Sequence, residues 1–243
     1  MGVKTQIDRI TSAKESLKAA INAKGGKLTN ELLQNYAAAI DALDDYSESI
    51  KNIIQKSGPE VKIPEGTTRI TEGVFSNNRE LVSVSFPSTL LEIYYAAFNN
   101  CENLALTELP NGITTIDTDA FYGCTNLALN KLPDALTMVG GSSFGECPNL
   151  NINIIPEKVE IIESNAFNNC TNLSKIWITK NCKTMEASRA NRGPFRDCTN
   201  LKHIYTDASS KLSGWEAYWN YTGDSTKATV HYGVSKAQFE ALL

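Results

Sequence analysis

A phenylalanine recurs every 23 residues through the middle of this chain, at Phe75, Phe98, Phe121, Phe144 and Phe167. A cysteine follows three places after four of the five, at Cys101, Cys124, Cys147 and Cys170. Proline keeps the same interval at Pro64, Pro87, Pro110, Pro133 and Pro156. Self-similarity at a fixed short period is the mark of a solenoid, whose turns cannot bury their apolar faces alone and so stack on one another. A residue that returns at one place in every turn is there first of all to pack against its neighbours.

Each turn carries two short extended segments. One is exemplified by Leu173–Ile178 and ends near the proline, which cannot donate a ladder hydrogen bond. The other centres on Ile70, Ile93, Ile116, Val139, Ile162 and Met185. Between them, Ala97, Ala120 and Ala166 precede the aromatic, so a small residue sits beside a large one. Stacking these turns predicts two sheets around one apolar stripe. A sixth copy is longer, with Phe195 lying 28 residues after Phe167, and the extra polar residues around Ser188 to Gly193 read as a surface loop. The first copy is degenerate, with Asn78 in the cysteine place.

The full motif, I-P-x-x-V-x-x-I-x-x-x-A-F-x-x-C-x-N-L, stands as Ile155-Pro156, Val159, Ile162, Ala166-Phe167, Cys170 and Asn172-Leu173. Over roughly residues 61–206 the pattern resembles the BspA-like class of leucine-rich repeats. That resemblance implies a leucine-rich-repeat solenoid of about six turns and a role in adhesion or interaction.

Residues 1–57 lack the repeat. Val3, Ile7, Ile10, Leu17 and Ile21 fall at heptad-like spacing before Gly25-Gly26. A second helix is expected from an N-cap at Thr29 through Leu43. Such an arm can cap the open end of the solenoid or serve as an oligomerisation stalk; Ile7, Ile10, Leu17 and Ile21 are the candidate oligomerisation residues, with a trimer favoured. The segments Val3–Ile10, Ala19–Gly25 and Tyr36–Leu43 resemble the N-terminal helices of tail and baseplate-associated proteins from phages of Gram-positive gut bacteria. That resemblance implies a virion protein, released by lysis. The expected class is therefore α+β: a helical arm over 1–57, a solenoid over 58–206 and an aromatic-rich cap over 207–243.

A formal net charge of −4 is too mild to suggest nucleic-acid binding. No apolar run is long enough to cross a bilayer. The opening Met1–Asp8 lacks an apolar signal segment, so if Met1 is the native start, export by the general secretory route is not expected.

Catalytic and metal motifs are not found. Of six cysteines, Cys198 continues the ladder and only Cys182 is off register, so buried, reduced, packing thiols are expected. There is no CxxC pair, and His203 and His231 are not at metal-ligand spacing, so neither a metal nor a cofactor is expected. Val139-Gly140-Gly141 is a repeat turn and not a phosphate loop. An enzyme acting on cell-wall glycans is the least favoured class.

The candidates for partner binding are aromatic. Counting along the strand segment of each turn, the fourth place reads Ser85, Glu108, Lys131, Ile154, Trp177, Tyr205, so aromatics gather at one end of one face. Trp177 and Tyr205 either contact a partner or pack beneath the C-terminal segment. Trp215, Tyr218, Trp219 and Tyr221 crowd into seven residues, as a cap or as a sugar-stacking or receptor patch. The second place carries Leu106, Leu129 and Ile152, an exposed apolar stripe if the register holds. Thr107, Asn130 and Asn153 would then face inward, so a local one-residue shift is expected instead. The leading expectation is a non-enzymatic phage virion protein, tail fibre, head fibre or tail-associated, that attaches to a bacterial cell-surface glycan or protein or to other virion proteins. The alternative is a bacterial surface or secreted adhesin of the BspA-like class.

Overall fold

The computed structural model describes residues 59–63, 65–187, 192–223 and 225–243. The arm, with Ile7, Ile10, Leu17 and Ile21, lies outside the described residues, as do residues 188–191 of the expected loop. Among the described residues the strands are β1 Glu60–Lys62, β2 Arg69–Ile70, β3 Ser83–Ser85, β4 Glu92–Ile93, β5 Thr115–Ile116 and β6 Met138–Val139. They continue with β7 Ile161–Ile162, β8 Lys175–Ile178, β9 Thr184–Met185, β10 His203–Thr206 and β11 Thr229–His231, followed by one five-residue helix, α1 Lys236–Glu240. The described chain is therefore a leucine-rich-repeat β-solenoid and not α+β, since the helices on which that class rested are expected over residues 1–57, outside the described residues.

Every named strand pair is parallel, as stacked turns of one chain require. The two-residue strands β2, β4, β5, β6, β7 and β9 form one six-stranded sheet. A parallel bridge from Met185 to Trp215 adds a rung, making about seven turns where six were expected. Gly214 makes this rung possible: a Cβ there would stand 2.1 Å from the Lys183 carbonyl oxygen.

The second sheet is interrupted. β1 pairs with β3 at one end, and β8, β10 and β11 pair at the other. In the three turns between, Leu106, Leu129 and Ile152 point into the core, whereas Thr107 and Asn130 are exposed. The one-residue shift expected from the polar residues is present, and the exposed apolar stripe does not form. Its trace in the backbone is the Ala128 N–H donating to Leu106 O and the Asn151 N–H to Leu129 O, each 3.0 Å and 22 residues apart instead of 23.

The core follows the repeat. Phe75, Phe98, Phe121, Phe144, Phe167 and Phe195 are each wholly buried. Successive rings lie 4.9–5.7 Å apart with planes within 7°. The cysteines fill the space beside them as buried free thiols. Each ladder thiol donates to the carbonyl of the phenylalanine one turn back, Cys101 to Phe75, Cys124 to Phe98, Cys147 to Phe121, Cys170 to Phe144 and Cys198 to Phe167, at 2.9–3.1 Å. Burial pushes the thiols of Cys101, Cys147, Cys182 and Cys198 up to about 12, and those of Cys124 and Cys170 well above their ordinary value.

Candidate functional site

Side chains on a strand alternate between faces, so the fourth and second places of the long strands share the outer face of the β8–β10–β11 sheet. Lys175 and Trp177 of β8, His203 and Tyr205 of β10, and Thr229 and His231 of β11 stand there in register. The C-terminal residues fold back over this face. Ser235 caps α1 through a capping box with Gln238, accepting from the Gln238 N–H while the Gln238 side chain reaches back to the cap N–H. The apolar anchor of α1 is Phe239, wholly buried and 5.1 Å from the Tyr205 ring. The Trp177 indole N–H donates to Val234 O at 2.9 Å, and the Lys175 ammonium donates to Leu242 O.

This packing decides several of the candidate residues. Trp177 is 2% exposed and lies under the C-terminal segment; Tyr205 is half-buried between Phe239 and His231. Trp215 is wholly buried, with its indole N–H donating to Cys182 O at 2.7 Å, and Trp219 beside it is 2% exposed. The three tryptophans are thus core and not a surface patch. For Trp215 and Trp219 the sequence leaves a cap and a surface patch open, in a segment beyond the expected 58–206 repeat; their burial fits the cap, and Trp215 extends the row of Met185. Tyr218 and Tyr221 stay half-buried at the surface, edge to face at 5.0 Å, with the Lys227 ammonium 4.6 Å from the Tyr221 ring centre.

Where α1 faces the middle turns it closes one side of a groove of about 460 Å³. Leu132, Ile154 and Pro156 give it an apolar lining, and Lys131, Asp134, Glu157, Lys158, Lys236 and Glu240 give it charge. Lys236 is held by Glu157 at 3.7 Å and Glu240 at 3.9 Å. Lys131 and Lys158 have no ion-pair partner among the described residues. Ile154 was the one signal for this groove in the sequence, an apolar residue at an outward place.

Among the described residues no group of three or more His, Cys, Asp and Glu side chains is placed to hold a metal ion. The two histidines nevertheless meet, His203 Nδ1 standing 3.1 Å from His231 Nε2. Their 28-residue separation, which discouraged pairing them, is the length of one long turn.

Fold and surface together define a leucine-rich-repeat solenoid whose open face is partly covered by its own C-terminus. The model of the BspA type leucine rich repeat region matches residues 54–174 and 131–238, and the chain belongs to this family. Among solved structures, the leucine rich repeat protein TpLRR of T. pallidum is 23% identical, with a TM-score of 0.54 over 76% of this chain and 82% of that one. A leucine-rich repeat protein from Bacteroides ovatus is 25% identical with a TM-score of 0.54, over 68% of this chain and 47% of that one. This chain therefore spans about half the length of the B. ovatus protein. No curated protein matches significantly. None of these matches supports the phage-tail resemblance of the arm or a place in a virion.

Proposed function

We propose that this chain is a non-catalytic binding module of a bacterial surface or secreted protein, of the adhesin type, in line with its family rather than with a virion role. The observation that carries the reading is the groove beside α1. Its apolar lining of Leu132, Ile154 and Pro156 stands beside three charged groups without an ion-pair partner among the described residues, Lys131, Lys158 and Asp134, a mixture that suits recognition. Its partner is a cell-surface protein or glycan that presents an apolar or ring face together with polar or charged groups. The half-buried pair Tyr218–Tyr221 is a second, smaller contact on the same unit.

The test is saturable binding of the labelled full chain to immobilised bacterial and host cell surfaces. Ile154→Asp with Lys131→Glu should reduce affinity by about tenfold or more, the scale of a lost interface anchor, with an unchanged melting temperature. Equal binding by the double variant, or release of soluble glycan by the wild type, would sink the reading.

A further inference from the structure

We infer that His203 and His231 form a chelating site for a late first-row divalent cation, Zn²⁺, Cu²⁺ or Ni²⁺, on the outer face of the last two rungs. The inference stands apart from the groove and from the proposed binding role.

The geometry carries it. With metal–nitrogen bonds of about 2.0–2.1 Å, two imidazole nitrogens subtending roughly 90–110° at one ion stand about 2.9–3.4 Å apart. The observed Nδ1–Nε2 separation is 3.1 Å, with the ring planes inclined by 51°. At this separation one ion beside the line between the two nitrogens lies within bonding distance of both, once each ring turns its lone pair from its neighbour towards the ion. Without metal, one ring N–H donates to the other ring nitrogen. On binding, that proton passes through solvent to the far nitrogen of its own ring, leaving two neutral ligands, which is the form a metal needs.

The scaffold is prepared in advance. His203 and His231 sit on neighbouring parallel strands, β10 and β11, with Tyr205 facing His231 in register. The His231 ring stacks on Tyr205 at 4.4 Å and 13°, and Tyr205 in turn rests on the buried Phe239. A ring clamped in this way loses little further freedom when it binds an ion. Imidazole favours zinc, copper and nickel over magnesium or calcium. The six thiols, all buried, do not compete. Two protein ligands leave the remaining positions of the ion to water or to a donor group from outside the chain, as in open rather than closed metal centres.

The experiment is calorimetric titration of the full chain, without a histidine tag, with ZnCl₂ and with CuSO₄. One saturable equivalent is expected. Either His203→Ala or His231→Ala should weaken it at least about tenfold, the loss that even an outer-shell partner produces. The Cu²⁺ absorption and electron-spin spectra should show nitrogen ligation in the wild type alone. His203→Gln and His231→Gln serve as replacements should an alanine variant melt early. No binding above buffer, or affinity unchanged in both single variants, overturns the site.

Discussion

The Cys147 thiol donates to the Phe121 carbonyl oxygen, 3.1 Å away and 26 residues earlier in the chain. That bond explains the offset between the two repeats. A thiol three places after the aromatic lies beneath the carbonyl of the previous aromatic, where a small, weakly polar donor fits a space that excludes water. Titration follows from this burial. In the unfolded chain a thiol ionises near pH 8.5, as an exposed cysteine does, whereas burial pushes Cys101, Cys147, Cys182 and Cys198 up to about 12 when folded. Above about pH 8.5 the unfolded state sheds protons that the folded state keeps, so stability is full below that value and falls as pH rises towards 12. Each such thiol contributes a slope of up to about 1.4 kcal/mol per pH unit. Denaturant midpoints measured from pH 7 to 11 should fall steeply in the wild type and less so in Cys147→Ala. A flat profile would mean that the ladder thiols are accessible.

Phe121 sits in the middle of the aromatic ladder, 5.1 Å from Phe98 and 5.6 Å from Phe144. Phe121→Ala should cost about 3–5 kcal/mol, as expected for removing a wholly buried aromatic ring. Phe75, the first ring of the ladder, has one stacked neighbour, and Phe75→Ala should cost less. Equal losses in chemical denaturation would show that stacking along the ladder adds nothing to burial.

The period made the solenoid, its core rungs and its inward cysteines readable, because each of these is set by stacking of equivalent residues. The one-residue shift in the middle turns was readable too, though not the interruption of the second sheet: Thr107, Asn130 and Asn153 are polar where the unshifted register would bury them, and desolvating them unpaired is unfavourable. What the period does not encode is contact between non-equivalent segments. The fold-back of α1 onto turns roughly 60–80 residues earlier sets Lys236 beside Glu157 and covers Trp177; no local pattern announces the ion pair, and for Trp177 the sequence leaves burial beneath the C-terminal segment open against partner contact. Trp215 falls outside the expected 58–206 repeat for a related reason. Its turn has lost the Phe and Cys markers, and only the bridge to Met185 reveals it as a rung. The histidine pair escaped because metal-ligand spacing rules describe loops and helices, while a solenoid sets neighbours one turn apart.

Gly214 governs whether that last rung closes. Its carbonyl accepts from the Met185 N–H at 3.1 Å, and a Cβ would run into the Lys183 backbone. Gly214→Ala must displace the rung, with a cost of about 1–3 kcal/mol by analogy with overpacking. The loss should be accompanied by faster amide exchange at Trp215 and Glu216. Unchanged exchange there would place the strain elsewhere.

Removal of residues 234–243 should unroof Trp177 by deleting its Val234 acceptor and the helix above it. The emission maximum should move to longer wavelength as that indole meets water. The same truncation in Trp177→Phe should leave the emission of Trp215 and Trp219 in place. A shift of equal size in both backgrounds would mean that the tail stabilises the whole last rung instead of covering one side chain.

Ser143 breaks the alanine row formed by Ala97, Ala120 and Ala166, immediately before its ring, Phe144. It is wholly buried, and its hydroxyl has no hydrogen-bond partner among the described residues. Its backbone carbonyl is used, accepting from the Phe121 N–H at 2.8 Å, so the position is fixed by the ladder whatever the side chain. An unsatisfied buried hydroxyl carries a desolvation penalty of about 1–3 kcal/mol, which loss of the oxygen removes at the smaller cost of a few lost contacts. Ser143→Ala should therefore raise stability by about 1 kcal/mol, with the Phe121–Phe144 stack unchanged. For a unit of this size such a gain appears as a rise of a few degrees in the melting temperature. A fall in melting temperature would mean that the hydroxyl has a partner, and that the row tolerates serine because it is satisfied there.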